Sequence, residues 1–94
     1  ADFRYSVVVY GNMYDVEMDF VNFQFADLTS NYAYSSDFTN AEFNFASLID
    51  TSFSYSNLTS ADFEDADVSD IYFYSCTFSN TKWIDGNWYN SDPS

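Results

Sequence analysis

The sequence predicts an all-β solenoid, a chain that turns a corner every five residues and stacks coil upon coil. Every fifth residue from Phe3 to Trp88 is apolar, eighteen in succession with no insertion. The residue two places before each of them is nearly always small or β-branched, and most other places hold Asp, Asn, Ser, Thr or Tyr. A period of five matches neither the 3.6-residue turn of a helix nor the alternation of a flat strand, so the chain must bend regularly.

The five-residue unit resembles that of the pentapeptide-repeat family, written A-[D/N]-[L/F]-x-x. The segments that carry the resemblance most directly are Ala1-Asp2-Phe3, Ala26-Asp27-Leu28, Ala41-Glu42-Phe43 and Ala61-Asp62-Phe63. The resemblance implies a right-handed quadrilateral parallel β-helix, in which four repeats form one coil and the central apolar and small residues point inward. We therefore predict a β-helix domain over residues 1–90, of about 4.5 coils and without a capping helix, and a tail over residues 91–94.

Residues that are twenty positions apart should then stack on one another, and these stacks should form four faces. The segments that begin at Val21, Ala41 and Ala61 align at this spacing. Neighbouring coils should lie about 4.8 Å apart, and each inward side chain should contribute roughly 1.5–3 kcal/mol by burial. The lone Cys76 falls at a small inward position and is predicted to be a packing thiol. The predicted inward columns of faces one to four are Phe3, Phe23, Phe43, Phe63, Trp83; Val8, Leu28, Leu48, Val68, Trp88; Met13, Ala33, Phe53, Phe73; and Met18, Phe38, Leu58, Phe78.

The charge limits the partners that the outer surface can bind. Fifteen acidic residues against only Arg4 and Lys82 give a net charge of −13. Nucleic acid and anionic membranes would be repelled, and no apolar run is long enough to span a bilayer. Basic proteins, metal cations or plain solvation of the surface remain compatible with this charge.

Neither catalysis nor a cofactor is predicted. The chain has no His, no Gly-rich phosphate loop and no Ser–His or Cys–His pair, and a convex prism offers no cleft. Two carboxylate pairs at twenty-residue spacing, Glu42 with Asp62 and Asp50 with Asp70, are candidate Ca²⁺ ligands. The alternative is an acidic face that is simply solvated.

Two further functions are held as alternatives. Some acidic members of the pentapeptide-repeat family imitate B-form DNA and bind gyrase. This chain would be only about 22 Å long at the usual coil spacing, which is short for such a mimic. Thr39, Thr59, Thr77 and Ser79 on face four leave ice binding as another alternative, and the chain could also be one stretch of a longer scaffold.

Aromatic side chains are abundant at outward positions, with Tyr32, Tyr55 and Tyr72 adding to those on face three. Exposed apolar stripes usually mark contact surfaces, although aromatic ladders also stabilise a stack by offset packing. The two interpretations stay open here. The predicted lateral aromatic surface comprises Tyr5, Phe20, Phe25, Phe45, Tyr14, Tyr34 and Tyr74.

The two ends of the solenoid favour self-association as the function. Each end exposes a slice of core and a backbone edge, and neither terminus carries an amphipathic cap helix. The half coil of residues 81–90 could be completed by the first two repeats of the next chain, which would build a filament. The expected end-to-end interface consists of Phe3, Val8, Met13 and Met18 at one end and Phe73, Phe78, Trp83 and Trp88 at the other.

The expected location rests on one sequence motif and on composition. Asn57-Leu58-Thr59 is the single N-glycosylation sequon, and Asn57 is predicted to point outward, where a glycan is sterically possible. Together with the few basic residues and the Tyr/Asn/Ser-rich surface, it favours an extracellular or cell-surface scaffold. A gyrase-binding DNA mimic would instead be cytoplasmic.

Overall fold

The computed structural model describes residues 1–94, and its sheet follows a twenty-residue period. Strands β1 (Asn12–Tyr14), β2 (Tyr32–Tyr34), β3 (Ser52–Ser54) and β4 (Tyr72–Tyr74) pair in parallel in the order β1-β2-β3-β4. Partners in neighbouring strands are twenty residues apart, as in Met13 with Ala33. These strands form face three.

The other three faces repeat this spacing through single parallel bridges. Backbone hydrogen bonds join each coil to the next, for example from the Phe23 amide to the Glu42 carbonyl at 2.8 Å. The structure contains no helix, and the predicted four-sided parallel β-helix is confirmed. The right-handed sense of the β-helix and the count of about 4.5 coils stay predictions. The bridged columns are Asp2, Asn22, Glu42, Asp62, Lys82 on face one; Val7, Asp27, Ser47, Asp67 on face two; and Glu17, Asp37, Asn57, Thr77 on face four.

The corners between faces adopt left-handed backbone. Every fifth residue from Tyr5 to Asn80, sixteen in all and none of them glycine, has φ between 50° and 64°. Many corners are four-residue turns closed by a hydrogen bond. In the turn over residues 43–46, for example, the Ala46 amide donates to the Phe43 carbonyl at 3.0 Å. L-residues adopt this conformation at a cost of roughly 1–2 kcal/mol each. The ladder bonds on both sides of each corner hold it in place.

The interior is filled as the inward columns predict. The rings of Phe43 and Phe63 stack at 4.9 Å, and Ala33, the smallest residue of the four apolar columns, is fully buried. The ring of Phe53, one coil beyond Ala33, meets that of Phe38 edge to face at 5.3 Å. Close interdigitation of this kind is what gives a small core its stability.

Some small inward positions carry polar groups, and these bond to carbonyls of the preceding coil. Thr51 Oγ1 donates to the Leu28 carbonyl at 2.7 Å, and Thr81 Oγ1 donates in the same way to that of Leu58 at 2.7 Å. The equivalent Asn31 donates its amide Nδ2 to the carbonyls of Val8 and Leu28. Its Oδ1 is buried without a partner, which carries a desolvation cost.

Gly11 lies one coil before Asn31, and a Cβ at Gly11 would approach Asn31 Oδ1 to 2.6 Å. We expect Gly11→Ala to lower the free energy of unfolding by about 1–3 kcal/mol, because the hydrogen-bonded amide cannot move aside. In an Asn31→Thr background the same substitution should cost little, since a threonine at this position would bond as Thr51 does. Urea denaturation of the four proteins of this cycle measures the coupling. Equal costs in both backgrounds would contradict the steric explanation.

The path of the C-terminal segment differs from the prediction. Strands β5 (Thr81–Lys82) and β6 (Trp88–Tyr89) pair antiparallel, and Trp88 is 63% exposed. The expected inward stacking of Trp88 on Val68 is therefore wrong. The reason is a turn at Gly86, where φ is 80°, one residue later than a regular corner would fall, so the chain folds back. The domain boundary between residues 90 and 91 stays a prediction.

Candidate functional site

The two ends of the solenoid differ in exposure. At the N-terminal end, Phe3 and Val8 are 37% and 40% exposed, and Met13 and Met18 are half-buried. At the C-terminal end Trp83 is only 7% exposed. Of the eight predicted end residues, the structure buries Phe73, Phe78 and Trp83 and leaves Trp88 on the surface. The end-to-end interface itself stays a prediction.

The exposed N-terminal end continues onto the outer surface of its first coil. Val7, Val9 and Tyr10 are exposed, whereas the positions bridged to Val7 along face two are Asp27, Ser47 and Asp67. The backbone N–H and C=O of Val7 form no backbone hydrogen bond. This coil therefore combines apolar side chains with an unpaired strand edge, which is the feature that invites another strand to pair.

The β5–β6 hairpin lies over part of the C-terminal end, where the amides of Val68, Phe73 and Phe78 form no backbone hydrogen bond. Tyr89 packs against the core, and its phenol donates to Asp85 Oδ2 at 2.5 Å. Lys82 Nζ lies 4.8 Å from the centroid of the Trp88 ring and 3.6 Å from Glu64 Oε1. The hairpin thus acts as a small, partial cap of this end. The Asp85–Gly86 pair was the available signal for its turn.

The Asp85–Tyr89 bond should make this cap sensitive to pH. The bond lowers the pKa of Asp85 from its ordinary 3.8 and raises that of Tyr89 from its ordinary 10.0. The stabilisation is therefore present above the ordinary pKa of Asp85 and is lost as pH falls through the lowered value. It is also lost as pH rises through the raised pKa of Tyr89. We expect the NMR signals of Trp88 to shift at both limits, and Tyr89→Phe to remove both shifts.

Tyrosine side chains form a continuous ridge on face three. Ring centroids of Tyr14 and Tyr34 are 6.1 Å apart, those of Tyr34 and Tyr55 are 5.3 Å apart, and those of Tyr55 and Tyr74 are 5.4 Å apart. The outward column of face three is Tyr14, Tyr34, Ser54 and Tyr74, so it lacks a ring at Ser54. The ring of Tyr55, a corner residue, lies between those of Tyr34 and Tyr74 instead, and Ser54 is only 6% exposed. Sequence reasoning expected Tyr55 on this face but not in this place.

The remaining predicted aromatic residues lie elsewhere. Tyr5, Phe25 and Phe45 stack at one corner, with centroids 5.1 Å and 5.0 Å apart and nearly parallel planes. Phe20 is exposed at another corner, where the same position in the following coils holds Asn40 and then a serine. The structure therefore divides the predicted lateral surface into two separate ladders and one isolated ring.

The acidic pairs are brought side by side without forming a larger cluster. Glu42 bridges Asp62 in the parallel ladder, and Asp62 Oδ1 already accepts the amide of Glu64 at 3.0 Å. Asp50 and Asp70 occupy exposed corners one coil apart. No group of three or more His, Cys, Asp or Glu side chains is arranged to hold a metal ion. Calcium binding at either pair stays a prediction.

Two single positions from the sequence can be located as well. Asn57 lies half-buried on face four. Its Oδ1 accepts two hydrogen bonds from Thr59, one from the backbone amide at 3.0 Å and one from the side-chain hydroxyl at 2.6 Å. Glycosylation at Asn57 stays a prediction. Cys76 is half-buried, its Sγ donates to the Phe53 carbonyl at 3.2 Å, and burial raises the pKa of its thiol. A raised pKa disfavours the reactive thiolate, in agreement with a packing role.

No helix of the length and apolarity needed to cross a bilayer occurs in the structure.

Residues 36–73 match the sequence model of the pentapeptide repeats, in eight copies. A search of curated proteins finds no match.

Solved structures supply the remaining comparison. The fold is similar to that of a pentapeptide repeat protein from the Arabidopsis thaliana thylakoid lumen, with a TM-score of 0.55 and 19% identity over 79% of this chain and 59% of that one. A pentapeptide repeat protein from the cyanobacterium Cyanothece 51142 gives a TM-score of 0.48 and 16% identity over 87% of this chain and 63% of that one. The chain thus spans less than two thirds of either structure. Its five-residue period extends unbroken to both sides of the matched segment, and the chain is thus similar in sequence pattern and in fold to the pentapeptide-repeat proteins.

Proposed function

We propose that this protein is a non-enzymatic structural module that binds a second copy of itself through its open N-terminal end. The observation that carries the proposal is the difference between the two ends: Phe73, Phe78 and Trp83 are buried at one, while Phe3 and Val8 remain partly exposed at the other. At the C-terminal end the chain also folds back at Gly86, which obstructs the next molecule of a head-to-tail filament. The geometry therefore favours a closed pair, in which the same surface of both copies meets.

Apolar burial supplies the driving force for such a pair. Val7, Val9 and Tyr10 are exposed beside Phe3 and Val8, and each square ångström of apolar surface removed from water contributes about 25 cal/mol. The unpaired N–H and C=O of Val7 would gain partners at the same time. Pairing of edges is how sheets remove such unsatisfied groups.

The net charge is smaller at this end. The first coil carries four carboxylates, of which Asp2 is paired with Arg4 at 2.8 Å. The last coil, residues 61–80, carries five carboxylates and no basic residue, namely Asp62, Glu64, Asp65, Asp67 and Asp70. Two copies that met through their last coils would bring these like charges together, which is unfavourable.

Light scattering coupled to gel filtration tests the proposal on the 94-residue chain. We expect a dimer that Val7→Lys/Val9→Lys converts to a monomer, because both side chains are exposed and lysine protects strand edges. Thr77→Lys/Ser79→Lys is the matched control. It adds the same charge at the same spacing on exposed positions of the last coil, and the dimer should persist. A wild-type monomer at high concentration, or equal effects of both variants, would refute the proposal.

The DNA-mimic alternative gains no comparable support. Its carboxylates would need to follow the solenoid as continuous rows, as phosphates follow a duplex. The acidic columns are instead interrupted by Asn22 on face one, Ser47 on face two and Asn57 on face four. An extracellular location stays a prediction.

A further inference from the structure

Face three differs from the other faces in charge. Residues 1–80 contain thirteen acidic residues, and only Asp15 belongs to a repeat of face three. The same face exposes most of the tyrosines, including Tyr14, Tyr34, Tyr55 and Tyr74 of the ridge. An exposed aromatic surface with a single charged residue, on a highly charged molecule, is the kind of surface that binds another molecule.

The face presents two parallel rows of side chains along the solenoid. One is the tyrosine ridge, and beside it runs a notched row of Asn12, Tyr32, Ser52 and Tyr72, each paired with the next in the sheet. Small side chains and tyrosines alternate in the notched row. Because coils lie about 4.8 Å apart, the small positions repeat at about 9.6 Å.

We propose that face three binds a proline-rich segment of another protein, in the polyproline II conformation and parallel to the solenoid axis. A polyproline II helix has three residues per turn and rises about 3.1 Å per residue, so it repeats every 9.3 Å or so. That repeat matches the spacing of the notches. Prolines at positions i and i+3 of the ligand would enter the notches at Asn12 and Ser52, against the rings of Tyr32 and Tyr72.

The chemistry of the two rows suits this ligand. Proline-rich segments dock into grooves lined by aromatic side chains. Their backbone carbonyls have no internal hydrogen-bond partners, and the phenol hydroxyls of the ridge can donate to them. Tyr34, Tyr55 and Tyr74 pack against one another at 5.3 Å and 5.4 Å. Such packing holds the rings in place before binding and so reduces the entropy lost on binding.

Charge complementarity distinguishes this ligand from a second copy or a neutral sugar. The corner next to the notched row carries Asp50 and Asp70, both exposed, beside Ser52 and Tyr72. A basic residue that flanks the prolines would pair with these carboxylates. A second copy of face three brings no basic side chain to them, and a neutral sugar has no cation to offer.

Fluorescence anisotropy with a labelled peptide of repeated Pro-x-x-Pro units and a terminal arginine tests the proposal. Ser52→Tyr should fill the notch at Ser52 and weaken binding at least about tenfold. Thr77→Tyr, at an exposed outward position of face four, is the matched control and should leave affinity unchanged. Asp50→Asn/Asp70→Asn should weaken binding of the arginine peptide several-fold but not that of its alanine counterpart. Circular dichroism verifies that each variant is folded.

Several results would overturn the proposal: no saturable binding, equal binding by the Ser52→Tyr variant, or equal binding of a peptide with proline at every second residue. Selective binding of a neutral glucan oligosaccharide would assign the face to sugars instead. Self-association abolished by Ser52→Tyr would assign it to a second copy. The inference does not depend on the N-terminal pairing, and the Val7→Lys/Val9→Lys variant should bind the peptide as well as the wild type does.

Discussion

Phe63→Ala should lower the free energy of unfolding by about 3–5 kcal/mol, the usual cost of removing a buried phenylalanine ring. Phe63 is fully buried, and its ring lies 4.9 Å from that of Phe43 and 5.3 Å from that of Trp83. Domains of this size are commonly stable by only about 5–15 kcal/mol in total. One substitution should therefore remove a large part of the stability, as measured by urea denaturation followed by circular dichroism.

The same inward column contains the control. Phe3 occupies the equivalent place at the N-terminal end and contacts one ring, that of Phe23, at 5.4 Å. In the single chain part of its surface is in water, so at concentrations too low for pairing Phe3→Ala should cost no more than about 2 kcal/mol. The cost should rise with protein concentration as a second copy covers this end. Equal losses at Phe63 and Phe3 at high dilution would contradict the difference in burial between the two positions.

Asp50→Pro should be the second most damaging substitution, with a cost above about 3 kcal/mol. The φ of Asp50 is 56°, whereas proline is fixed near −65°. The substitution also removes the bond from the Asp50 amide to the Ser69 carbonyl at 3.0 Å. The chain must then either break the corner or unpair two coils, and the loss should be visible in the denaturation midpoint.

The neighbouring residue is a strict control for this corner. Ile49 donates no backbone hydrogen bond and is the second residue of the turn closed from the Thr51 amide to the Leu48 carbonyl, a place that proline favours. Ile49→Pro should change stability by no more than about 1 kcal/mol. Asp50→Gly should leave it unchanged or raise it by up to about 1 kcal/mol, since glycine adopts positive φ without strain. A severe loss in Ile49→Pro would show that the turn needs more than its φ angles.

The regular part of this fold is readable from the sequence because each feature is repeated many times. One apolar residue in five defines an inward row, and the alignment at twenty residues defines the coil, so columns such as Phe23, Phe43 and Phe63 follow directly. A single aberrant residue hardly weakens such a signal. The left-handed corners were not predicted, because Phe25 and Phe45 are residue types that seldom adopt positive φ.

The irregular features depend on contacts between specific pairs of residues. A repeat pattern describes only what all repeats share, so it does not predict these contacts. Trp88 fits the five-residue pattern, yet one glycine at residue 86 shifts the turn and reverses the chain. Tyr55 leaves its corner because Ser54 is too small to continue the tyrosine column. The notched row of face three arises likewise from the particular order of Asn12, Tyr32, Ser52 and Tyr72. Candidate sites of this protein lie where the repeat is broken.

The contact between Gly11 and Asn31 has a consequence for how coils recognise one another. Successive coils of a regular solenoid present nearly identical edges, so a partly unwound chain could pair with the wrong coil of a neighbouring molecule and aggregate. An amide that fits only over a glycine admits one partner coil and excludes the others, which carry side chains at that place. Such contacts distinguish one coil from another. The sequence therefore specifies which coils pair, even though most of its residues follow the same repeat.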